Sequence, residues 1–213
     1  MATEPPVTTS GGMVARIKGI LLTPAAEWAK IDAEPMTTQG IITGWVVPLA
    51  AIPALAGLIG MLTFGIGWLG TRFTPPMTFV ITNAVAGYVL AIVGIFLLAL
   101  VIDALATSFG GTKNPVQAMK VAAFSATAGW VGGIFAIVPM LGIIGLLFAL
   151  YGLYLMFVGL PMLMRVPQDK AIGYFLVTLV VAIVVYIVVG AVVGAVTWAV
   201  APPILPGAAV TFS

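Results

Sequence analysis

Cysteine and histidine are both absent from the 213 residues, which excludes several kinds of chemistry at once. Without them the chain has no disulfide, no thiol nucleophile, no His/Cys zinc site and no Ser-His-Asp or Cys-His catalysis. Charged residues are also scarce, at 7% of the chain, and the net charge of +2 is too small for a nucleic-acid-binding surface. We therefore expect no nucleic-acid partner, no metal ion and no cofactor.

Apolar residues take the place of the missing charge. They make up 62% of the chain, and the mean hydropathy of +1.24 is far above what a water-soluble domain carries. A chain with so little polar surface needs lipid as its solvent. The composition predicts an all-α integral membrane protein.

The spacing of the charged residues predicts five transmembrane helices, because a helix needs about 20 apolar residues to cross the bilayer. The 37 uncharged residues between Glu34 and Arg72 hold one helix, in which Pro48 and Pro53 predict a kink. The 44 uncharged residues of 121–164 hold two helices, with a turn at 139–142. The predicted spans are Ile41–Phe64, Phe79–Ala106, two spans within 121–164, and Ile172–Ala199.

The distribution of Lys and Arg predicts the orientation of these spans. Alternate loops place seven of the eight basic residues on one side and only Arg72 on the other. Since basic residues collect in cytoplasmic loops, we expect the N-terminus in the cytoplasm and the C-terminus exported. The lipid bilayer is the first expected partner.

Three segments are expected along the chain. We expect residues 1–12 to be a disordered tail. Residues 13–200 are expected to form the five-helix membrane domain with an N-terminal interfacial segment, and residues 201–213 a short exported tail.

The N-terminal interfacial segment predicts two short amphipathic helices. In the first, apolar positions 14, 17, 20 and 21 share one face, with Arg16 at its border. Pro24, after the candidate N-cap Thr23, begins the second helix, which carries Trp28 and Ile31 on one face. Two interpretations remain: a surface that docks on the membrane or on a partner, or a plug packed beneath the bundle.

Asp103 is the only acid inside a predicted span, so it is a candidate functional residue. It could carry a proton or pair with a cationic substrate. It could instead form a structural ion pair with Lys120 or Lys113, or be solvated by water at the cytoplasmic end of its span. One aspartate cannot supply the two ionisable roles that hydrolysis or group transfer divides between residues. We therefore expect no enzyme and no catalytic residue.

Several segments together resemble the Yip family, the Ypt/Rab-interacting-protein-like domain, in its bacterial branch, over about residues 14–200. The segments are Arg16–Pro24 with Trp28 and Ile31, Phe109–Gly111, Gly142, Tyr151–Tyr154 and Val158–Pro161. The most specific are Pro24 with Trp28, and Tyr151 and Tyr154 with Gly159.

The resemblance implies a five-helix membrane protein with a cytoplasmic N-terminus, and its bacterial branch implies location in a bacterial inner membrane. It also implies that eukaryotic relatives bind small GTPases and act in membrane traffic and shaping. Residues 124–128 lack the proline of the family's Tyr-Ser-x-x-Pro-like stretch, so GTPase binding is not carried over to this chain.

Two functions follow as hypotheses. The first is a non-enzymatic membrane scaffold or membrane-organising protein that acts through its cytoplasmic face, with a second copy of the chain and a cytoplasmic protein as candidate partners. The second is a small transporter or channel that uses the kinked first helix and Asp103.

Overall fold

Five helices long and apolar enough to cross a membrane dominate the computed structural model, which describes residues 12–68 and 71–200. The five spans found in this part of the chain confirm the predicted number and their approximate positions. They are Thr38–Phe64, Met77–Phe109, Pro115–Ile137, Gly142–Leu163 and Gln168–Val200. The predicted tails lie outside the described residues, except that Gly12 already belongs to a helix.

Nine α-helices and one two-stranded ribbon are found in the described residues. The helices are α1 (Gly12–Leu22), α2 (Pro24–Ala33), α3 (Thr38–Ile41), α4 (Val47–Phe64), α5 (Met77–Ala106), α6 (Pro115–Ser125), α7 (Thr127–Gly132), α8 (Gly142–Leu163) and α9 (Gln168–Val200). The antiparallel strands β1 (Ile66–Trp68) and β2 (Thr71–Phe73) pair Ile66 with Phe73 and Trp68 with Thr71. This ribbon between the first two spans is not among the sequence predictions.

The first span contains a π-helical turn, Ile42–Val46, which joins α3 to α4. It ends two residues before Pro48, whose ring would clash with the carbonyl four residues earlier in a regular α-helix. The wider turn accommodates that ring. It also brings Trp45 into the core, where its indole N–H donates to the Thr127 hydroxyl at 3.1 Å and its ring packs on Phe124.

The third span is the central helix of the bundle. Its segments α6 and α7, with the 3₁₀ turn Gly133–Ile137, pack against α4, α5 and α8, and 56% of its most apolar window is buried. It begins at Pro115, so Lys120 lies inside the helix and not in a loop. A 3₁₀ turn at Pro139–Leu141 joins it to the fourth span, where the sequence predicts the turn.

Helices α5 and α9 pack along each other on the outside of the bundle. Only 6% of the most apolar window of α9 is buried. The remaining surface of α9 is mostly Val, Ile and Leu. Such a surface is stable only against lipid. The chain is therefore an integral membrane protein.

Candidate functional site

The two N-terminal helices form a helical hairpin that packs into the side of the bundle. We call Gly12–Ala33, which is α1, the connecting Thr23 and α2, the N-terminal hairpin. Pro24 begins α2 as predicted, because its fixed φ suits the first helical position and it has no N–H to satisfy. Thr23 does not cap α2 with its side chain; its hydroxyl donates instead to the Gly19 carbonyl at 3.1 Å.

Trp28 anchors the N-terminal hairpin to α8. Its side chain is fully buried, with the indole in edge contact with Phe124 and against the backbone of Gly159. A Cβ on Gly159 would lie 2.5 Å from the indole Cε2 atom, so only glycine leaves room for the ring here. Ile31, three residues further along α2, is also fully buried. The predicted burial of Trp28 and Ile31 on one face is confirmed.

Lys120 holds the C-terminal end of α2. Its ammonium donates to the carbonyl oxygens of Ile31 and Glu34, each at 2.7 Å, and is 3.4 Å from the carbonyl of Asp32. Because the last carbonyls of a helix lack partners within it and lie at the negative end of its dipole, a buried ammonium is well placed there. Lys120 therefore does not form the ion pair with Asp103 that was one of the alternatives considered for Asp103.

Arg16 is the second buried cation. Its guanidinium pairs with the carboxylates of Glu27 and Glu34, and it lies over the Phe124 ring at 5.9 Å. Arg16 is only 6% exposed, whereas Val14, at the start of the predicted apolar face, is 65% exposed. The other three residues of the predicted apolar face, Ile17, Ile20 and Leu21, belong to the core or pack against it.

Asp32 connects the N-terminal hairpin to two other helices. Its carboxylate accepts from the Gln117 amide of α6 at 3.0 Å and from Arg165, just after α8, at 2.8 Å. We call the charged and amide side chains that join α1 to α2, and α2 to α6 and to the end of α8, the charged cluster. Its members are Arg16, Glu27, Lys30, Asp32, Glu34, Gln117, Lys120 and Arg165.

The sequence did not predict the charged cluster, although one signal pointed to it. Three of the six acids of the chain fall within 27–34, the segment that also carries Trp28 and Ile31. Acids packed so densely among buried apolar residues need cationic partners, and Arg16, Lys30 and Arg165 supply them.

Tyr151 fixes the other end of the N-terminal hairpin. Its hydroxyl donates to the carbonyl of Leu21, the next-to-last residue of α1, at 2.8 Å. Tyr154 is exposed on the same helix, with its ring centre 5.5 Å from that of Tyr151. Of the seven candidate residues, Pro24, Trp28, Lys120, Tyr151 and Gly159 thus meet at the hairpin.

Asp103 lies elsewhere, on α5. The neighbouring Ile102 carbonyl accepts from the Tyr174 hydroxyl of α9 at 2.5 Å. The Asp103 Oδ1 atom is buried without a hydrogen-bond partner, and in the described part of the chain neither Lys113 nor Lys120 pairs with Asp103.

A small pocket opens beside the N-terminal hairpin, and Asp103 is not among the residues that line it. Its volume of about 80 Å³ is below the several hundred Å³ of a small-molecule site. It is lined by Met13, Met36, Gly40, Ile41, Gly44, Trp45 and Phe124. Within residues 12–68 and 71–200, no three acidic side chains come together as metal ligands would.

The fold and the site define a membrane protein of five spans with an N-terminal hairpin fixed to its third and fourth spans. The Yip1 domain matches residues 18–190, and the chain belongs to the Yip1 domain family. This family is not known as a family of enzymes. Neither the curated proteins nor the solved structures compared with the chain gave a match.

Proposed function

We propose that this protein is a non-enzymatic membrane scaffold of the Yip type, in its bacterial branch, that organises the inner membrane through its cytoplasmic face. The single observation that supports this is the charged cluster, which fixes the N-terminal hairpin rigidly to the bundle. Buried ion pairs cost desolvation free energy to assemble, so they favour a function that needs a defined surface over a loose tail.

The proposed orientation places the N-terminus in the cytoplasm and the C-terminus outside, as the Lys/Arg distribution favours. On the cytoplasmic side the hairpin and the adjoining loops present exposed basic side chains to a partner. They are Lys30, Lys113, Arg165 and Lys170. This face fits an acidic segment of a cytoplasmic protein, while a second copy of the chain would meet the apolar sides of the bundle.

Site-specific photocross-linking in intact cells tests this function. A photoreactive residue at Lys30, which is exposed on α2, should give a discrete adduct with a cytoplasmic protein. The matched control is Ile183 on α9, which is 50% exposed and faces lipid. An adduct of twice the chain mass at Ile183 supports a homo-oligomer. Adducts with lipid alone at both positions contradict the scaffold function.

The alternative function is a small transporter or channel that uses the first span and Asp103. The unpartnered Asp103 Oδ1 supports it, since a buried carboxylate oxygen of this kind can exchange a proton or bind a cation. Proteoliposomes loaded with a pH-sensitive dye separate the two functions. A proton flux that disappears in Asp103→Asn favours the transporter, and a flux equal to that of protein-free vesicles favours the scaffold.

A further inference from the structure

We propose that the N-terminal hairpin is a re-entrant element: it enters the hydrocarbon core from the N-terminal side of the membrane, turns at Leu22 and Thr23 near the bilayer centre, and returns. Its tip then contacts the acyl chains of lipids. This inference concerns the depth of the hairpin and does not depend on the proposed function.

The depth of the hairpin can be measured along helix α8. Its 22 apolar residues span about 33 Å, close to the thickness of the hydrocarbon core, and Arg165 follows at one end. Tyr151 lies 12 residues before Leu163, about 18 Å from that end and therefore near the bilayer centre. Since the Tyr151 hydroxyl bonds the Leu21 carbonyl at 2.8 Å, the end of α1 reaches the same level.

The contacts that the hairpin makes along α8 place its residues at increasing depth from Asp32 to Leu21. Asp32 pairs with Arg165 just beyond α8, Trp28 packs on Gly159 one turn inside the end of α8, and Leu21 meets Tyr151 near its middle. The 10 residues of α2 can descend about 15 Å, half of the hydrocarbon thickness. The position of Tyr151 along α8 and the length of α2 both place the tip of the hairpin near the bilayer centre.

The backbone at the tip is suited to a place without water, where unpaired polar groups are costly. Thr23 donates its N–H to the Gly19 carbonyl at 2.8 Å, and Pro24 has no N–H at all. Tyr151 satisfies the Leu21 carbonyl. The tip therefore needs few hydrogen bonds from water.

The side chains agree with this placement. Leu22 at the tip is 77% exposed, and Leu150, beside Tyr151 on α8, is 53% exposed. An apolar surface of this kind is continuous with the lipid-facing surface of the spans. Arg16 and Glu27 neutralise each other in the interior of the hairpin. Lys18 lies four residues from Leu22, about 6 Å nearer the membrane surface, where its long stem can carry the ammonium to the headgroups.

The absence of cysteine allows a direct test with single-cysteine variants. Leu22→Cys is labelled with bimane in phosphatidylcholine/phosphatidylglycerol proteoliposomes. Quenching is measured with lipids spin-labelled near the end of the acyl chain, with lipids spin-labelled near the headgroup, and with iodide in the buffer. Bimane at position 22 should be quenched about twofold more by the deep label than by the shallow one, because it lies near the bilayer centre.

Leu150→Cys and Thr112→Cys are the matched controls, since Leu150 is exposed beside Tyr151 and Thr112 is exposed in the loop after α5. Position 22 should behave like position 150. If it behaves like position 112, with strong quenching by iodide, the hairpin lies on the membrane surface and the proposal fails.

A depth profile keeps the test decisive if one variant folds poorly. Lys18 and Ala29 are exposed on the two arms of the hairpin. Bimane at either position should report a shallower depth than at position 22, since both lie further from the tip. Equal depths at the three positions would mean that the hairpin lies parallel to the membrane, which overturns the proposal.

Discussion

The central third span and the outer fifth span are built on opposite principles. In the third span 56% of the most apolar window is buried, and it carries Lys120, Ser125 and Thr127 in the interior. In α9 only 6% of its own most apolar window is buried. The mean hydropathy of that window is 3.1, more than twice the 1.4 of the third span. In lipid, apolar surface is not driven inward, so polar and small residues mark the interior of the bundle.

The N-terminal hairpin belongs to the first of these two regions. It gives Lys120 and Gln117 of the third span hydrogen-bond partners and packs Trp28 against Gly159. Substitutions in this region should therefore cost far more stability than matched substitutions in α9. The following predictions test that difference, beginning with the largest expected effect.

Trp28→Ala should cost about 3–5 kcal/mol, because it empties a fully buried site between α2, α6 and α8. Trp198→Ala on α9 should cost less than about 1 kcal/mol, since Trp198 is 58% exposed. Thermal melting of both variants in one detergent measures the difference. Equal melting temperatures would mean that the hairpin is not part of the folded bundle.

Lys120→Met should cost about 3 kcal/mol, because it removes the charged donor from the carbonyls of Ile31 and Glu34 at the end of α2. Lys113→Met is the control, since Lys113 is exposed before α6 and should leave the melting temperature unchanged. Protease sensitivity of the N-terminal segment shows whether α2 has detached. A Lys120 variant that melts like the wild type would contradict the capping role.

Gly159→Ala should cost about 1–3 kcal/mol, because the added Cβ would overlap the Trp28 indole. Gly190→Ala on α9 meets nothing within 4 Å and should be neutral or stabilising by up to about 1 kcal/mol, as alanine favours the helix. Both are measured by melting in detergent.

A smaller residue at position 28 tests whether this overlap is the cause. Trp28→Leu should cost less in the Gly159→Ala background than in the wild type, since two residues in contact are coupled. Additive losses in the double variant would place the cost of Gly159→Ala elsewhere.

Asp103→Asn should change stability by no more than about 0.5 kcal/mol, because Asp103 forms no ion pair in the described part of the chain. Melting of the purified variant checks this. A loss as large as that of Lys120→Met would give Asp103 a structural partner outside the contacts described above.

The sequence by itself determined the properties that depend on local composition. The length of each apolar window sets the number of spans, and the five spans agree. Pro24 after Thr23 begins α2, and the spacing of Trp28 and Ile31 places both on its buried face. These follow from helix geometry and from the thickness of the bilayer, which are the same for every chain.

Only the tertiary structure decided where the charges lie. Lys120 meets carbonyls 86 to 89 positions away, and Arg165 meets Asp32 across 133 positions. Arg16 was expected at the border of an apolar face and is instead buried among carboxylates of α2 and the residue that follows it. In a membrane protein the apolar pattern shows which segments enter the lipid. It does not show which polar groups pair inside, because each pair depends on the packing of helices that are distant in the chain.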